Sequence, residues 1–194
     1  MDAQISRTAT SVPDCLLRPQ IRMSGLLTDN KYLDFQSQLD NALNGEGPIG
    51  IELTTTGGDA DLARRICMDI NLFGERLGRE FWFIGKTTVY SAGMTILAGF
   101  PRKRRFITRD CVLLIHERHL DMSLQLSGPL PSSLQQVQEM EHQLKTGIEI
   151  EREGFEMLCR DTGVGLDECI EKARTSWYVK ADEALKLRLV EGVL

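Results

Sequence analysis

A serine and a histidine in separate segments of the sequence have the surroundings that a nucleophilic pair needs. Ser91 lies in the run 87–94 and is followed by the small residues Ala92 and Gly93. His116 ends a short apolar run. A serine at a sharp strand-to-helix turn exposes its hydroxyl, and a histidine at the end of a buried strand can take up the proton of that hydroxyl. The pair therefore predicts an activated serine nucleophile.

Two adjacent glycines follow another predicted strand and supply a second part of such a site. Gly57 and Gly58 come shortly after the apolar segment 49–54. Glycine lets a backbone N–H group face a cavity in conformations closed to other residues. The N–H of Ala92, at the positive end of the helix that begins beside Ser91, is a further donor. Gly57, Gly58 and Ala92 are the predicted oxyanion hole, and a plain strand-to-helix turn is the alternative.

Each of these residues also has an ordinary structural interpretation. Ser91 would serve as a helix N-cap, and His116 as a hydrogen-bonded residue at a strand end. Lys86 precedes Ser91 by five positions and would allow a serine–lysine dyad. His119 and His142 lack a carboxylate or thiolate at metal-ligand spacing. The sequence predicts neither a metal site nor a cofactor, and the order of glycines, serine and histidine favours the nucleophilic interpretation.

Predicted strands and helices alternate at short intervals along the sequence. This alternation favours right-handed βαβ crossovers and a mainly parallel sheet, and 194 residues suit one domain. The predicted strands span residues 20–24, 49–54, 81–85, 106–108, 112–115 and 177–179. The predicted helices span residues 29–43, 62–73, 91–98, 134–158, 165–173 and 181–187. An α/β fold follows.

The longest predicted helix, over residues 134–158, has apolar residues at intervals near 3.6. It exceeds the typical helix of about 11 residues, and Gly147 and Gly154 are expected to bend it. So long a helix with many glutamines and charges cannot bury its whole length in a small domain. We expect it to project and to contact a partner subunit; a plain two-helix arm is the alternative.

Charge and composition disfavour several classes of protein. The formal net charge is -5, whereas nucleic-acid binding relies on clustered positive charge. The basic run 102–105 is expected to be a solvated turn rather than a phosphate or partner patch. No apolar stretch reaches the 18 residues or so of a membrane span. The sequence predicts neither a nucleic-acid partner nor a membrane contact.

The N-terminal residues and the cysteines bear on location. Residues 1–14 are polar, rich in serine and threonine, and lack the apolar core of a signal peptide. The five cysteines form an odd set without a CxxC pair and are expected to be reduced and structural. The sequence predicts a cytoplasmic protein.

Around the glycine pair, the serine and the histidine described above, the sequence resembles the proteolytic subunit of the Clp protease, a family of serine peptidases with the ClpP/crotonase fold. The resemblance runs from about residue 20 to residue 194. It rests on the Gly57–Gly58 turn, on Ser91 with the small-residue helix after it, and on His116 at its strand end. The spacing of the serine and the histidine and the closing segment 181–190 also match the family.

The resemblance implies an α/β spiral of βαβ units with a projecting handle helix in the region 124–162. It places one domain at residues 19–194 after a flexible N-terminal segment, residues 1–18. It also implies a homo-oligomer of one ring or two stacked rings, with peptides or unfolded proteins as substrate. An ATP-driven AAA+ unfoldase is the implied partner, and no cofactor is implied.

The resemblance also implies a division of roles among the site residues. Ser91 attacks a peptide carbonyl, His116 takes the serine proton, and the N–H groups of Gly58 and Ala92 hold the oxyanion. Ser176 falls where the family has its catalytic aspartate, and Trp177 follows it in place of an arginine that helps to align the rings. Without that aspartate, turnover can fall about 10⁴-fold.

Two further departures concern the substrate side of the predicted site. Tyr90 stands where the family prefers a small residue, and Pro129 lies in a segment that is glycine-rich in the family. Proline has no backbone N–H, so it cannot donate a hydrogen bond to a peptide that binds as an added strand.

Three functions are compatible with these residues. A divergent Clp-like serine peptidase is favoured by the serine, the histidine and the glycines together. A catalytically weak or inactive Clp-like structural or regulatory subunit is the alternative that Ser176 suggests. A crotonase-type acyl-CoA enzyme would use a related fold and oxyanion hole, but no glutamate pair accompanies the glycine turns.

Overall fold

The structure, a computed structural model, describes residues 12–120 and 123–194. Its helices are α1 (Asp14–Leu17), α2 (Asp29–Leu43), α3 (Ala60–Leu77), α4 (Ala92–Ala98), α5 (Leu130–Cys159), α6 (Leu166–Ala173) and α7 (Ala181–Lys186). Its strands are β1 (Ile21–Ser24), β2 (Ile49–Thr55), β3 (Phe81–Tyr90), β4 (Arg105–Ile107), β5 (Val112–Ile115), β6 (Trp177–Lys180) and β7 (Gly192–Val193).

The seven strands form one mainly parallel sheet. Five of them follow the order β1-β2-β3-β4-β7, and each neighbouring pair in this order is parallel. Strand β5 pairs in parallel with β3, and β6 pairs with β5 in the antiparallel direction. Helices lie between successive parallel strands, as crossovers require. The α/β prediction is confirmed.

Strand β3 is longer than the predicted segment 81–85 because it takes part in two pairings. Its residues Phe83–Gly85 pair with β4, and its last residues, Thr88–Tyr90, pair with β5. Thr87, at a φ of 57°, lies between the two stretches. The second half of the strand contains polar residues, so the apolar pattern in the sequence did not predict it. As a result β3 ends directly before Ser91.

Helices α2 and α3 begin where the sequence supplies a capping side chain. Thr28 Oγ1 accepts a hydrogen bond from the N–H of Lys31, and Asp59 Oδ1 accepts from the N–H groups of Asp61 and Leu62. Such bonds satisfy donors that the first turn of a helix leaves free. The buried faces of the two helices carry Tyr32, Phe35, Leu39, Ala63, Ile66 and Ile70. Asp59 thus fixes the start of α3 immediately after the glycine pair.

The N-terminal region is only partly described. The sequence predicts a flexible segment over residues 1–18, of which residues 1–11 lie outside the described part of the chain. Residues Asp14–Leu17 form α1, and its two central side chains are buried in a small cluster with Ile84 and Phe106. Residues 14–17 are therefore helical rather than flexible as predicted, because Cys15 and Leu16 pack against the sheet.

Helix α5 is the long helix that the periodicity predicts. The predicted segment 134–158 extends to Leu130–Cys159, and Gly147 and Gly154 lie within it without interrupting it. Most side chains of residues 130–149 are exposed, while Phe155 and Leu158 near the C-terminal end are buried. Only the last turns of α5 therefore pack into the domain. Among the described residues, no helix has the length and apolarity needed to cross a membrane.

A buried arginine joins the end of α5 to the end of α4. The Arg105 side chain is 2% exposed and donates to the carbonyl oxygens of Ala98, Phe100, Met157 and Leu158 at 2.8–3.2 Å. Burial lowers the pKa of its guanidinium to about 10. The carbonyls at helix C-termini carry partial negative charge, which favours a cation there. Arg105 holds the two helix ends together through backbone acceptors.

Of the other residues of the basic run, Arg102 and Arg104 are partly buried and Lys103 is exposed. Arg102 pairs with Glu191 at 2.6 Å and Arg104 with Glu80 at 2.5 Å. These residues form a short 3₁₀ turn before β4. The prediction of a solvated turn over residues 102–105 is therefore wrong at Arg105, which is buried, and both Arg102 and Arg104 are paired to carboxylates.

Candidate active site

Ser91 lies between β3 and α4 in a backbone conformation that few non-glycine residues adopt. Its φ is 56° and its ψ is -117°. The turn is held by hydrogen bonds from the Ser91 N–H to Leu114 O at 2.9 Å and from the Met94 N–H to Ser91 O at 2.8 Å. Its hydroxyl makes no capping hydrogen bond with the described backbone of α4. Ser91 therefore occupies the N-cap position without using its hydroxyl as a cap.

Gly57 leaves the room that the Ser91 side chain occupies. A Cβ atom at Gly57 would lie 2.9 Å from Ser91 Cβ and 3.3 Å from Ser91 Oγ. The φ of Gly57 is 114°, a conformation that suits glycine. Its N–H donates to Thr55 Oγ1 at 3.0 Å. That donor is already engaged, so the geometry gives Gly57 a steric role beside the serine rather than a free N–H.

Gly58 is held tightly against the loop before α2. The Leu27 N–H donates to Gly57 O at 2.8 Å, and the Asp59 N–H donates to Leu27 O at 3.0 Å. A Cβ atom at Gly58 would lie 2.5 Å from Leu27 O. Within the described residues, the N–H of Gly58 donates to no hydrogen bond. The backbone N–H groups that could hold an oxyanion are therefore those of Gly58 and Ala92. The N–H of Ala92 is among those that the first turn of α4 leaves free.

His116 directly follows β5, and its ring is oriented by its own main chain. The Nδ1 atom lies 2.5 Å from the carbonyl oxygen of Glu117. Because a carbonyl oxygen can only accept, this contact requires a proton on Nδ1, so that in the neutral imidazole Nε2 is the acceptor. An unprotonated Nε2 is what a general base needs in order to take up a serine proton.

Ser176 directly precedes β6, the strand that pairs in the antiparallel direction with β5. The last pair of this register joins Ile115 to Trp177, and a continuation of it would set His116 opposite Ser176. Ser176 has a φ of 62°. Among the described residues, no hydrogen bond joins His116 to Ser176 or to Ser91. The third position of the predicted triad therefore stays a prediction, and its hydroxyl does not orient the His116 ring here.

Ser91 and His116 line the same cavity, which has a volume of about 570 Å³. The cavity lies between α3, α4 and the last turns of α5, and Gly58 and Ala92 also line it. Its apolar wall includes Met68, Met94, Ile150, Phe155, Met157 and Leu158. The structure therefore brings the predicted nucleophile, base and oxyanion donors to one concave surface, which is where a substrate would bind.

A polar cluster that sequence reasoning missed borders this cavity. Arg118 donates to Asp61 Oδ1 at 3.1 Å through its side chain, and its N–H donates to the Glu151 carboxylate. The His119 ring lies 5.1 Å from the ring of His116. These contacts connect the segment after β5 to both α3 and α5. No sequence motif indicates them, since the partners are far apart along the chain.

Two alternatives remain from the sequence, a serine–lysine dyad with Lys86 and a metal site. Lys86 Nζ lies 2.7 Å from Glu52 Oε2, so its ammonium is paired with a carboxylate rather than with Ser91. In the described part of the chain, no group of three or more histidine, cysteine, aspartate or glutamate side chains is arranged to hold a metal ion.

Comparisons with known proteins agree with this architecture at the level of fold. No protein-family model and no curated protein matches the sequence. Among solved structures, a point mutant of ClpP1 from Listeria monocytogenes matches with a TM-score of 0.71. The match covers 90% of each chain at 18% sequence identity. The chain has a ClpP-like fold. At this identity, the ClpP-like fold alone is shown.

Proposed function

We propose that this protein is a divergent Clp-like serine peptidase that cleaves peptide bonds with Ser91 as nucleophile. The supporting observation is the position of Ser91, which lines the same cavity as His116. Its backbone is strained, its hydroxyl makes no capping hydrogen bond to α4, and Gly57 leaves room for its side chain. A strained non-glycine residue persists only where its surroundings impose it, and such residues cluster at functional sites.

The proposed reaction uses groups that already line the cavity. Ser91 Oγ attacks the peptide carbonyl carbon while His116 Nε2 takes up the hydroxyl proton. The N–H groups of Gly58 and Ala92 stabilise the oxyanion. His116 then gives its proton to the leaving amine, and a water molecule, deprotonated by the same ring, hydrolyses the acyl-enzyme. The attack step needs Ser91 Oγ and His116 Nε2 in direct hydrogen-bond contact.

That contact has to form when substrate binds, because the serine and the histidine are not hydrogen-bonded here. Catalytic hydrogen bonds are often long or poorly aligned in a free enzyme and tighten in the substrate complex. The Glu117 carbonyl selects the correct tautomer of His116, but it carries no full charge to stabilise the imidazolium. We therefore expect slow turnover compared with an enzyme that has an aspartate at this position.

Labelling with a fluorophosphonate probe tests the proposal directly. The probe should modify Ser91, as located by peptide mapping, and Ser91→Ala should abolish the label. His116→Ala should reduce the labelling rate at least about 100-fold, since a general base contributes about 10²–10⁴. Ser37→Ala, which changes an exposed serine on α2, is the matched control and should label normally. Equal labelling of wild type and Ser91→Ala would refute the proposal.

A catalytically weak or inactive structural or regulatory Clp-like subunit is the second candidate. The observation that favours it is Ser176 in the sequence, at the position where the family resemblance expects the aspartate partner of His116. If the subunit is inactive, neither wild type nor Ser176→Asp would react with the probe or cleave peptides, although both would fold; a weak enzyme would react slowly in both assays.

The partners of the proposed peptidase come from the family resemblance. Peptides or unfolded proteins are the proposed substrates, and a homo-oligomer of one or two rings is the proposed assembly. The exposed length of α5 supports self-association because it presents apolar side chains to solvent. An AAA+ unfoldase partner and a cytoplasmic location stay predictions of the sequence.

A further inference from the structure

A single peptide group connects the ring of His116 to the long helix α5. This peptide group joins Glu117 to Arg118 and is hydrogen-bonded at both of its polar ends. The carbonyl oxygen of Glu117 accepts from His116 Nδ1 at 2.5 Å. The N–H of Arg118 donates to the carboxylate of Glu151. Because the C=O and the N–H of a planar trans peptide point in opposite directions, the imidazole, the peptide group and the carboxylate form one continuous chain of two hydrogen bonds.

The carboxylate of Glu151 strengthens the hydrogen bond between the peptide carbonyl and the ring. A hydrogen bond to an ionised carboxylate is about twice as strong as one between neutral groups. Hydrogen bonds in a chain also polarise one another, so a carboxylate that accepts from the N–H makes the C=O of the same peptide a better acceptor. The negative charge of Glu151 thus favours a protonated Nδ1 on His116 without contacting the ring.

Two helices hold this peptide group in place. Glu151 is partly buried, lines the cavity of the predicted nucleophile and lies one turn before Phe155, whose side chain is buried in the core. The side chain of Arg118 donates to Asp61 Oδ1 on α3 at 3.1 Å. Groups on helices position a reacting side chain more precisely than groups on loops do. Helices α5 and α3 therefore limit the rotation of the peptide group that orients the histidine.

The neighbouring carboxylates have other partners. The side chain of Glu117 lies 3.8 Å from Arg174 Nε. Asp61 pairs with the side chain of Arg118 rather than with its N–H. Among the described residues, Glu151 is therefore the carboxylate that is hydrogen-bonded to the peptide group beside the histidine.

We propose that Glu151 is the positioning residue of His116 and acts through the 117–118 peptide group. It takes the part that a carboxylate bonded directly to Nδ1 plays in a complete triad, because it fixes the ring and keeps Nε2 free to accept the Ser91 proton. The inference rests on the proposed function, since it is the nucleophilic serine that needs such a base. The indirect route through a neutral peptide group agrees with a slow chemical step.

Solid-state ¹⁵N NMR of the full chain, labelled at its histidine nitrogens, measures the tautomer of His116 directly. The chain has three histidines, and the signals that disappear in His116→Gln assign the ring. At about pH 8.5, where histidine side chains are ordinarily neutral, the wild-type ring should carry its proton mainly on Nδ1. Glu151→Ala removes the acceptor that holds the peptide group and should raise the share of the Nε2-protonated form several-fold.

The rate of fluorophosphonate labelling at Ser91 measures the consequence for the nucleophile. Glu151→Ala should lower this rate at least about tenfold, because a shift of about 1 Å in a reacting group can cost about 100-fold. Glu151→Gln keeps an oxygen that can accept from the Arg118 N–H, so its tautomer share and its labelling rate should lie between those of wild type and Glu151→Ala. Glu149→Ala, which changes an exposed glutamate on the same helix, is the matched control and should alter neither quantity.

The positioning role and the peptidase function fail in different ways. If wild type labels at Ser91 but Glu151→Ala leaves the tautomer unchanged, the positioning role is overturned and the peptidase stands, even where the rate falls. If wild type does not label while the tautomer still depends on Glu151, the proposed function fails and the positioning contact stands. A wild-type His116 ring protonated mainly on Nε2 overturns the inference even if Glu151→Ala fails to fold.

Discussion

At the scale of single residues, the orientation of His116 distinguishes this site from a complete triad. A backbone carbonyl, that of Glu117, accepts from Nδ1 where an acidic side chain would both orient the ring and stabilise its positive charge. In the neutral ring Nε2 is therefore the acceptor, and among the described residues no acidic side chain is hydrogen-bonded to Nδ1. The expected phenotype is an intact nucleophile with a slow chemical step.

Restoring a carboxylate tests this interpretation. Ser176→Asp should raise kcat for a peptide substrate at least about tenfold, within the factor of about 10⁴ that such an aspartate can supply. The backbone at Ser176 has a positive φ, which aspartate and asparagine tolerate better than most residues. Ser176→Asn has the same shape without the charge and should give little gain. Equal rates for the two variants would show that charge at this position is not limiting.

The space beside the nucleophile gives a second prediction. In Gly57→Ala, the new methyl group would lie 2.9 Å from Ser91 Cβ and has to displace the serine. A shift of about 1 Å in a reacting group can cost about 100-fold, so fluorophosphonate labelling should fall by about that factor. Gly147→Ala, which adds a methyl to open space on α5, should label normally. Unchanged labelling of Gly57→Ala would contradict the packing described.

The sequence predicted the chemical groups of the site better than their contacts. Ser91, His116, Gly58 and Ala92 all line one cavity because each follows or begins an element that periodicity can locate. The engagement of the Gly57 N–H with a threonine hydroxyl was beyond such reasoning. So was the tautomer of the histidine, since both depend on local backbone angles that no spacing encodes.

At the scale of elements, α4 and α5 are joined by the buried side chain of Arg105. Its donors satisfy carbonyls at two helix ends, and among the described residues no carboxylate forms an ion pair with it. Because these helix ends border the cavity of Ser91, the arginine stabilises the scaffold of the site. Periodicity predicted both helices, but the charged run around residue 105 favoured a solvated turn.

Replacement of this arginine should be costly. Arg105→Lys keeps the charge but cannot span four carbonyl acceptors, because an ammonium lacks the planar fork of a guanidinium. Buried acceptors without donors cost about 1–3 kcal/mol each, so we expect a loss of about 3 kcal/mol in the free energy of unfolding, measured in urea. Lys103→Met, in the same run but exposed, should change it by less than about 0.5 kcal/mol. A small effect at Arg105 would argue against its linking role.

At the scale of the whole molecule, the exposed part of α5 is the feature that fits a monomer least well, because it presents apolar side chains to solvent. Its solvent-facing apolar side chains are Leu130, Leu134, Val137, Leu144 and Ile148, each more than 40% exposed. A row of apolar side chains along one helix is typical of a surface that another chain covers. We therefore expect the protein to self-associate through α5.

Sedimentation velocity measures this association. Wild type should sediment as an oligomer at micromolar concentration, and Leu134→Glu combined with Ile148→Glu should shift it toward the monomer. The same substitution at Leu17, which is exposed on α1, is the matched control and should leave the oligomer intact. A monomeric wild type, or an oligomer that survives the double change, would contradict a role of α5 in assembly.

The backbone of Ser91 has a consequence for the balance between stability and activity. A φ of 56° with a ψ of -117° costs a serine about 1–3 kcal/mol, whereas glycine adopts it freely. Ser91→Gly should therefore melt at a higher temperature than both the wild type and Ser91→Ala, as scanning calorimetry can measure, and should fail to label. Sites optimised for function rather than stability behave in this way. A hydroxyl kept at such a position implies that the folded protein tolerates a permanent loss of stability there.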